Sequence, residues 1–293
     1  MARMFDLIAR GKVHTTGGRL QSLQAAFPIV ADNVAKYLWN DIEDLDDAPA
    51  FVNGQLDWTD YPNMMPPFDN YFVEWVTPFE NMREASKWNG VHIVRVEDTC
   101  GSGVSDKGLV TLRCELYVSD AAYGNSAVVG PGITYGLLVA EDGSCVDARV
   151  VEQQCTGATD DETAEFRKAY MNLMQPAFLT TSFMHCRNVS QTTVTPLPKL
   201  AKAHRKRHGV PLVRYRTINI DPMRQVLRSE GQAHETGIKR ALHICRGHFR
   251  TYTEDKPLFG KVTGTFFVPM HARGSAREGV VVQDYLVKAP SLG

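Results

Sequence analysis

The chain has 293 residues, of which 43% are hydrophobic and 22% are charged, and its formal net charge is −1 at pH 7. This length favours two structural units, and this composition excludes a disordered or fibrous protein. The apolar runs are too short to span a membrane, and the first twenty residues lack the apolar core of a signal peptide. We therefore expect a cytoplasmic protein without membrane contact.

The N-terminal two thirds of the chain predict helices followed by an antiparallel sheet. Apolar side chains recur at helical spacing from Leu20 to Leu38, with Pro28 as a break or kink. Later segments predict strands, and the Asp142-Gly143 step predicts a hairpin turn. The predicted strands are residues 66–76, 90–98, 108–120 and 134–154.

A long helix is predicted after this sheet, beginning at Asp160 or Asp161. Phe166, Tyr170 and Leu173 recur at helical spacing, and Pro176 is expected to kink the helix. The six cysteines show no C-x-x-C spacing, so we expect reduced thiols, several of them buried.

The charge is divided unevenly along the chain. Residues 1–195 carry 14 Lys or Arg and 26 Asp or Glu, a balance of −12, whereas residues 196–293 carry 18 and 7, a balance of +11. Such a division indicates an anionic partner for the C-terminal third, or attraction between the two parts within one fold or across a homo-oligomer. We predict an acidic α+β domain at 1–190, a basic Pro-containing linker at 191–211 and a basic antiparallel sheet domain at 212–293.

The predicted linker contains a dense run of cations between Lys199 and His208. In a solvated loop these side chains would keep the segment soluble. On a nucleic-acid-binding surface they would contact the phosphate backbone without reading its sequence. The candidate binding residues of this run are Lys199, Lys202, Arg205, Lys206 and Arg207.

The C-terminal third predicts about four strands, and two of them concentrate His and Arg. Alternation in the strand "RALHICRGHFRTY" places Arg246, His248 and Arg250 on one face. In the strand "TFFVPMHARG", His271 and Arg273 share a face with Thr265 and Phe267. If these strands pair around the turn between them, we expect His248 and His271 to approach each other, with Lys256 close by.

Two histidines beside arginines suit metal-independent RNA cleavage. One imidazole would remove the 2′-OH proton and the other would protonate the leaving oxygen, while Arg246 and Arg273 stabilise the phosphate charge. The same residues, with Arg250 and Lys256, also suit a phosphate-binding surface that does no chemistry. A third interpretation is an edge strand kept soluble by charge.

A metal site is not expected in this region. His243, Cys245 and His248 are ligand types for zinc, but alternation directs the first two away from the third. The sequence also lacks a phosphate-binding P-loop, a G-x-S-x-G elbow and an H-E-x-x-H motif. We expect neither a metal nor an organic cofactor.

The stretch from Ala241 to Gly274 resembles uncharacterised proteins of tailed phages and prophages. The shared pattern is H-x-x-R-G-H-F, P-L-F-G, G-T-[FWY] and H-x-R-G, and these four elements begin here at His243, Pro257, Gly264 and His271. The resemblance implies a phage or mobile-element protein acting in the host cytoplasm, and it implies no particular activity. The order of one helix and four strands is also similar to small ribonuclease toxins at the level of the fold.

The sequence therefore predicts a nucleic-acid-interacting phage or mobile-element protein of the α+β class. The more specific hypothesis is that this protein is a metal-independent ribonuclease. The alternative is a non-catalytic interaction or assembly protein that binds nucleic acid or a host protein.

Overall fold

The computed structural model of the protein describes ten segments of the chain. They are residues 3–15, 19–39, 61–77, 87–96, 108–153, 159–220, 241–245, 248–268, 271–273 and 275–280. The chain divides into two compact units, Met1–Asn219 and Ile220–Gly293. Each unit is described by itself below.

The first unit combines helices with a large mixed sheet, which confirms the α+β class. Its helices are α1 (Met4–Ala9), α2 (Arg19–Gln24), α3 (Asp32–Trp39), α4 (Asp160–Phe183) and α5 (Pro198–His208), with a 3-10 turn at Ala121–Tyr123. Its strands are β1 (Val13–His14), β2 (Phe27–Val30), β3 (Asn70–Val76), β4 (Trp88–Val96), β5 (Val110–Ser119), β6 (Val128–Val129), β7 (Ile133–Val139), β8 (Cys145–Gln153), β9 (Val189–Val194) and β10 (Tyr215–Ile220).

The sheet runs in the order β1-β6-β5-β4-β3-β2-β10-β9, and β7 and β8 continue it from β5. Pairing is antiparallel between β3 and β4, β4 and β5, β5 and β7, and β7 and β8, as their turn-separated apolar runs predict. The β7–β8 hairpin turns at Asp142-Gly143, where Gly143 has φ +87°. The sheet is nevertheless mixed, because β2 pairs parallel with both β3 and β10.

Helices cover both faces of the central strands, so most side chains of β3, β4 and β5 are buried. On one face, Phe72 and Tyr117 are buried against α1 and α2. On the opposite face, the Tyr71 hydroxyl lies 2.9 Å from Thr181 Oγ1 of α4. Helix α4 begins with a capping box between Thr159 and Glu162, and it continues through Pro176 into its buried C-terminal half.

The first unit differs from the sequence prediction at three places. The helical run predicted from Leu20 to Leu38 is broken at Pro28, and residues Phe27–Val30 form strand β2 there, because this apolar run is buried and pairs with β3. The segment predicted as a linker contains strand β9 and helix α5. Strand β10, which we assigned to the C-terminal domain, pairs with β2, so the structure divides after Asn219.

The described residues of the second unit form short strands and the turns between them. The strands are β11 (Ala241–Cys245), β12 (His248–Tyr252), β13 (Gly264–Val268), β14 (His271–Arg273) and β15 (Ser275–Val280). Pairing is antiparallel between β12 and β13 and between β11 and β14, whereas β11 and β15 are parallel. The polar connection from 221 to 237 and most of the strand predicted at 279–288 lie outside the described residues.

Candidate functional site

Helix α5 carries the basic run of residues 199–207, and its ends explain why this segment is helical. Pro198 occupies the first turn, where its missing N–H has no partner to lose. Gly209 ends the helix with φ +79°, and its N–H donates to the Arg205 carbonyl at 2.9 Å. Alanine, leucine, lysine and arginine between these ends favour the helical state.

The two sides of α5 differ in exposure and chemistry. Ala201, His204 and His208 recur at helical spacing and are half-buried, so they form the inner side. The cations of the helix are all exposed: Lys199, Lys202, Arg205, Lys206 and Arg207. Lys199, Lys202 and Lys206 lie on the side opposite the histidines.

The cations of α5 have no acidic partners among the described residues, where the ion pairs involve other side chains. Residues 196–219 contain seven Lys or Arg and no Asp or Glu. Cations in the last turn are favoured by the helix dipole, which accounts for Arg205, Lys206 and Arg207. The dipole disfavours Lys199 near the N-terminus, so helix stability does not explain its presence.

The histidines of α5 pack against each other. Their ring centroids are 4.6 Å apart, and the ring planes meet at 50°. The His204 Nδ1 atom lies 2.9 Å from the Val210 carbonyl oxygen. Burial lowers the pKa of His208, and the positive charges of Arg10 and Arg207 lower it further.

The structure fully describes three candidate site residues of the second unit, and all three lie in the β12–β13 hairpin: His248, Arg250 and Lys256. His248 pairs with Val268 and Arg250 pairs with Phe266, so these four side chains share one face. His248 and Arg250 are exposed, and the Arg250 guanidinium lies 5.0 Å from the centroid of the Tyr252 ring. This face can therefore present a cation and an imidazole to a ligand.

The opposite face of the hairpin is held by packing and a hydrogen bond. The rings of Phe249 and Phe267 have centroids 5.1 Å apart. The hydroxyls of Thr251 and Thr265 are 2.9 Å apart. In the connecting turn, exposed Lys256 follows Glu254 and Asp255, whose charges offset its own.

His248 and His271 are not cross-strand partners. His271 pairs with Cys245, and Arg273 pairs with His243. Arg246 and the side chains of His271 and Arg273 lie outside the described residues, so their convergence with His248 stays a prediction.

A buried charged network on the α1–α2 face of the sheet was missed from the sequence. Glu115 on β5 accepts hydrogen bonds from Arg19 Nε at 2.8 Å and from the Tyr117 hydroxyl at 3.2 Å. His92 Nδ1 lies 3.2 Å from the second Glu115 oxygen, and His92 Nε2 lies 2.8 Å from Asn70 Oδ1. His92 and Glu115 are fully buried.

The partners of Glu115 decide its charge. Burial raises its pKa, but hydrogen bonds from His92 and Arg19 and the charge of Arg113 outweigh burial, so its pKa lies below the ordinary value. Arg19 also binds Glu152 near the surface. The available signal was alternation: Arg113, Glu115 and Tyr117 occupy every second position of β5, and the positions between them are apolar.

A cavity of about 430 Å³ opens where β6 and β7 diverge from β5. Its described lining includes His14, Thr15 and Tyr170 but no Asp, Glu, Lys or Arg. Gly132 leaves room there, because a Cβ atom at this position would lie 2.6 Å from the Tyr170 hydroxyl. The described part of the wall is thus a mixed polar and apolar surface without Asp, Glu, Lys or Arg.

Metal clusters and membrane helices were also sought in the described segments. No group of three or more His, Cys, Asp or Glu residues in those segments could hold a metal ion. None of the helices in the described part of the chain combines the length and apolar composition that a bilayer crossing requires. Cys114, Cys145 and Cys186 are buried cysteines. Comparison with family models, curated proteins and solved structures found no match to this chain.

Proposed function

We propose that the protein binds the phosphate backbone of nucleic acid through the exposed cations of α5, as a protein of a phage or mobile element. The observation that carries this proposal is a surface helix with five exposed cations and no described acidic partner. Unpaired cations on one element attract a polyanion and release its condensed counterions. The phage assignment rests on the C-terminal motif and its resemblance.

The chemistry of α5 favours phosphate contact over base recognition. Its exposed polar side chains are all Lys or Arg, which contact phosphate oxygens and can also pair with guanine, and it contains no Asn or Gln to pair with adenine. Its remaining exposed residues, Pro198, Leu200 and Ala203, cannot form side-chain hydrogen bonds. We therefore expect binding that depends strongly on salt and weakly on nucleotide sequence.

The proposal is tested by reversing the charge of Lys199, Lys202 and Lys206 together. These side chains are exposed, so the triple Lys→Glu variant should fold. We expect its affinity for a fluorescent duplex or single strand to fall at least ~10-fold at low salt. Lys36→Glu, an exposed lysine of α3, serves as the control and should change affinity little. Equal affinity of the triple variant and wild type would rule out α5 as the contact.

Ribonuclease activity is the catalytic extension of this proposal. The exposed His248 and Arg250 of β12 support it, and it also requires His271 to act with His248. We expect RNA cleavage in the presence of EDTA, with a loss of ~100-fold or more in His248→Ala and His271→Ala. If the wild-type protein leaves varied RNA substrates intact, the ribonuclease proposal is wrong and only binding without catalysis remains.

The alternative is an assembly or interaction protein. The balance of −12 in residues 1–195 against +11 in residues 196–293 supports self-association through opposite charges. A homo-oligomer of this kind would dissociate as salt is added, which size-exclusion chromatography at several salt concentrations measures. Failure to retain nucleic acid at low salt, together with such dissociation, would favour this alternative.

A further inference from the structure

The inner side of α5 carries a pair of histidines that phosphate binding does not use. His204 and His208 are four residues apart, so both imidazoles leave the same side of the helix. The rings lie with their centroids 4.6 Å apart, and both side chains are half-buried. Two histidines at this spacing on one helix face can bind a single metal ion.

The hydrogen bonding of His204 prepares its other nitrogen as a ligand. The Val210 carbonyl oxygen can only accept, so the His204 Nδ1 atom, 2.9 Å away, carries the proton. In the neutral ring the lone pair is then on Nε2. This atom is buried and has no hydrogen-bond partner in the described part of the chain. A buried polar atom without a partner costs free energy, which a ligand would recover.

We propose that His204 and His208 form a two-histidine site for a transition-metal ion such as Zn²⁺. The Val210 carbonyl has the role that an outer-shell acceptor has at metal-binding histidines, because it fixes the tautomer and the orientation of the ring. No third protein ligand stands among the described residues, so water or a phosphate oxygen completes the coordination.

The surroundings of the pair select among metals. Arg10 and Arg207 act electrostatically on His208, and their positive charge opposes any dication. Only ions with a strong preference for imidazole nitrogen overcome this repulsion, which favours Cu²⁺, Ni²⁺ and Zn²⁺ over Mg²⁺ and Ca²⁺. The site is independent of the proposed function, since the histidines lie on the opposite side of α5 from Lys199, Lys202 and Lys206.

Calorimetric titration of the metal-free full chain with Zn²⁺ alone tests the site. We expect the wild-type protein to bind one equivalent more than His204→Ala and one more than His208→Ala. His14→Ala, which removes a histidine of β1 in the same unit, should keep wild-type stoichiometry, and Mg²⁺ should not bind at the pair. His208→Gln, which keeps a polar side chain of similar size, replaces any alanine variant that unfolds.

A second readout is the thermal midpoint, which saturating Zn²⁺ should raise in the wild type and in His14→Ala. The same addition should raise it less in both His204→Ala and His208→Ala. Equal stoichiometry and equal midpoint shifts in the wild type and the α5 variants would overturn the site. Because no nucleic acid is present, failure of this test leaves the phosphate-binding proposal standing, and the converse also holds.

Discussion

Charges occur in two different settings within residues 1–219. On the α1–α2 face of the sheet, Arg19, His92 and Glu115 are paired with one another and largely withdrawn from water. On α5, the cations from Lys199 to Arg207 are exposed and have no acidic partner among the described residues. The first group is satisfied within the fold, whereas the second group is left available to an external anion.

This difference separates stability from binding. A buried charge without its partner is destabilising by several kcal/mol, so the network must remain complete for the unit to fold. An exposed cation interacts weakly with the rest of the protein, so its replacement changes stability little. Substitutions in the network should therefore act on folding, and substitutions in α5 should act on ligand affinity.

The largest expected effect is that of Glu115→Ala. It removes the acceptor shared by Arg19, His92 and Tyr117, and it should lower the free energy of unfolding by about 3–5 kcal/mol. Urea denaturation at pH 7 measures this. Arg95→Ala is the matched control, because Arg95 is 53% exposed and lies 3.8 Å from Asp69, and it should cost at most about 1 kcal/mol. Similar losses in both variants would contradict the distinction.

Acid should weaken the buried network by protonating Glu115. The folded-state pKa of Glu115 is lowered, so its contribution is complete above the unfolded value of ~4.3 and is lost as pH falls through the folded value. Glu115→Gln has no such titration. The fall in unfolding free energy between neutral and acidic pH should therefore be smaller in Glu115→Gln than in the wild type. An equal fall would show that Glu115 contributes no acid sensitivity.

The smallest expected effects concern the ends of α5. A negative charge suits the helix N-terminus and opposes its C-terminus. Lys199→Glu should raise the free energy of unfolding by about 0.3–1 kcal/mol, and Arg207→Glu should lower it by a similar amount. Both should weaken nucleic-acid binding. If affinity instead follows helix stability, Lys199→Glu binds nucleic acid more tightly than the wild type. That result would mean that binding depends on the stability of α5 and not on contact between these cations and phosphate.

Local patterns predicted the elements of the first unit better than their pairing. The periodicity of α4 and the Asp142-Gly143 turn of the β7–β8 hairpin were read correctly, because each depends on neighbouring residues. The parallel pairing of β2 with β10 joins segments almost two hundred residues apart in sequence. No local signal specifies such a contact, and Pro28 in β2 pointed away from it.

Charge density identified α5, but its helical geometry was missed. The prolines around residues 196–211 indicated a linker, although Pro198 stands where a helix tolerates proline. The buried network was missed for a different reason. The partners of Glu115 and His92 come from distant segments of the chain. Only folding of the sheet brings Arg19 to Glu115 and Asn70 to His92.

The dependence of nucleic-acid affinity on salt concentration tests the role of α5 most directly. For duplex DNA, the slope of log affinity against log salt reports the number of phosphates neutralised. We expect the Lys199→Glu, Lys202→Glu, Lys206→Glu triple variant to reduce the magnitude of the wild-type slope by about 2 to 3. A triple variant with the wild-type slope, measured on protein of unchanged stability, would contradict phosphate contact by this helix.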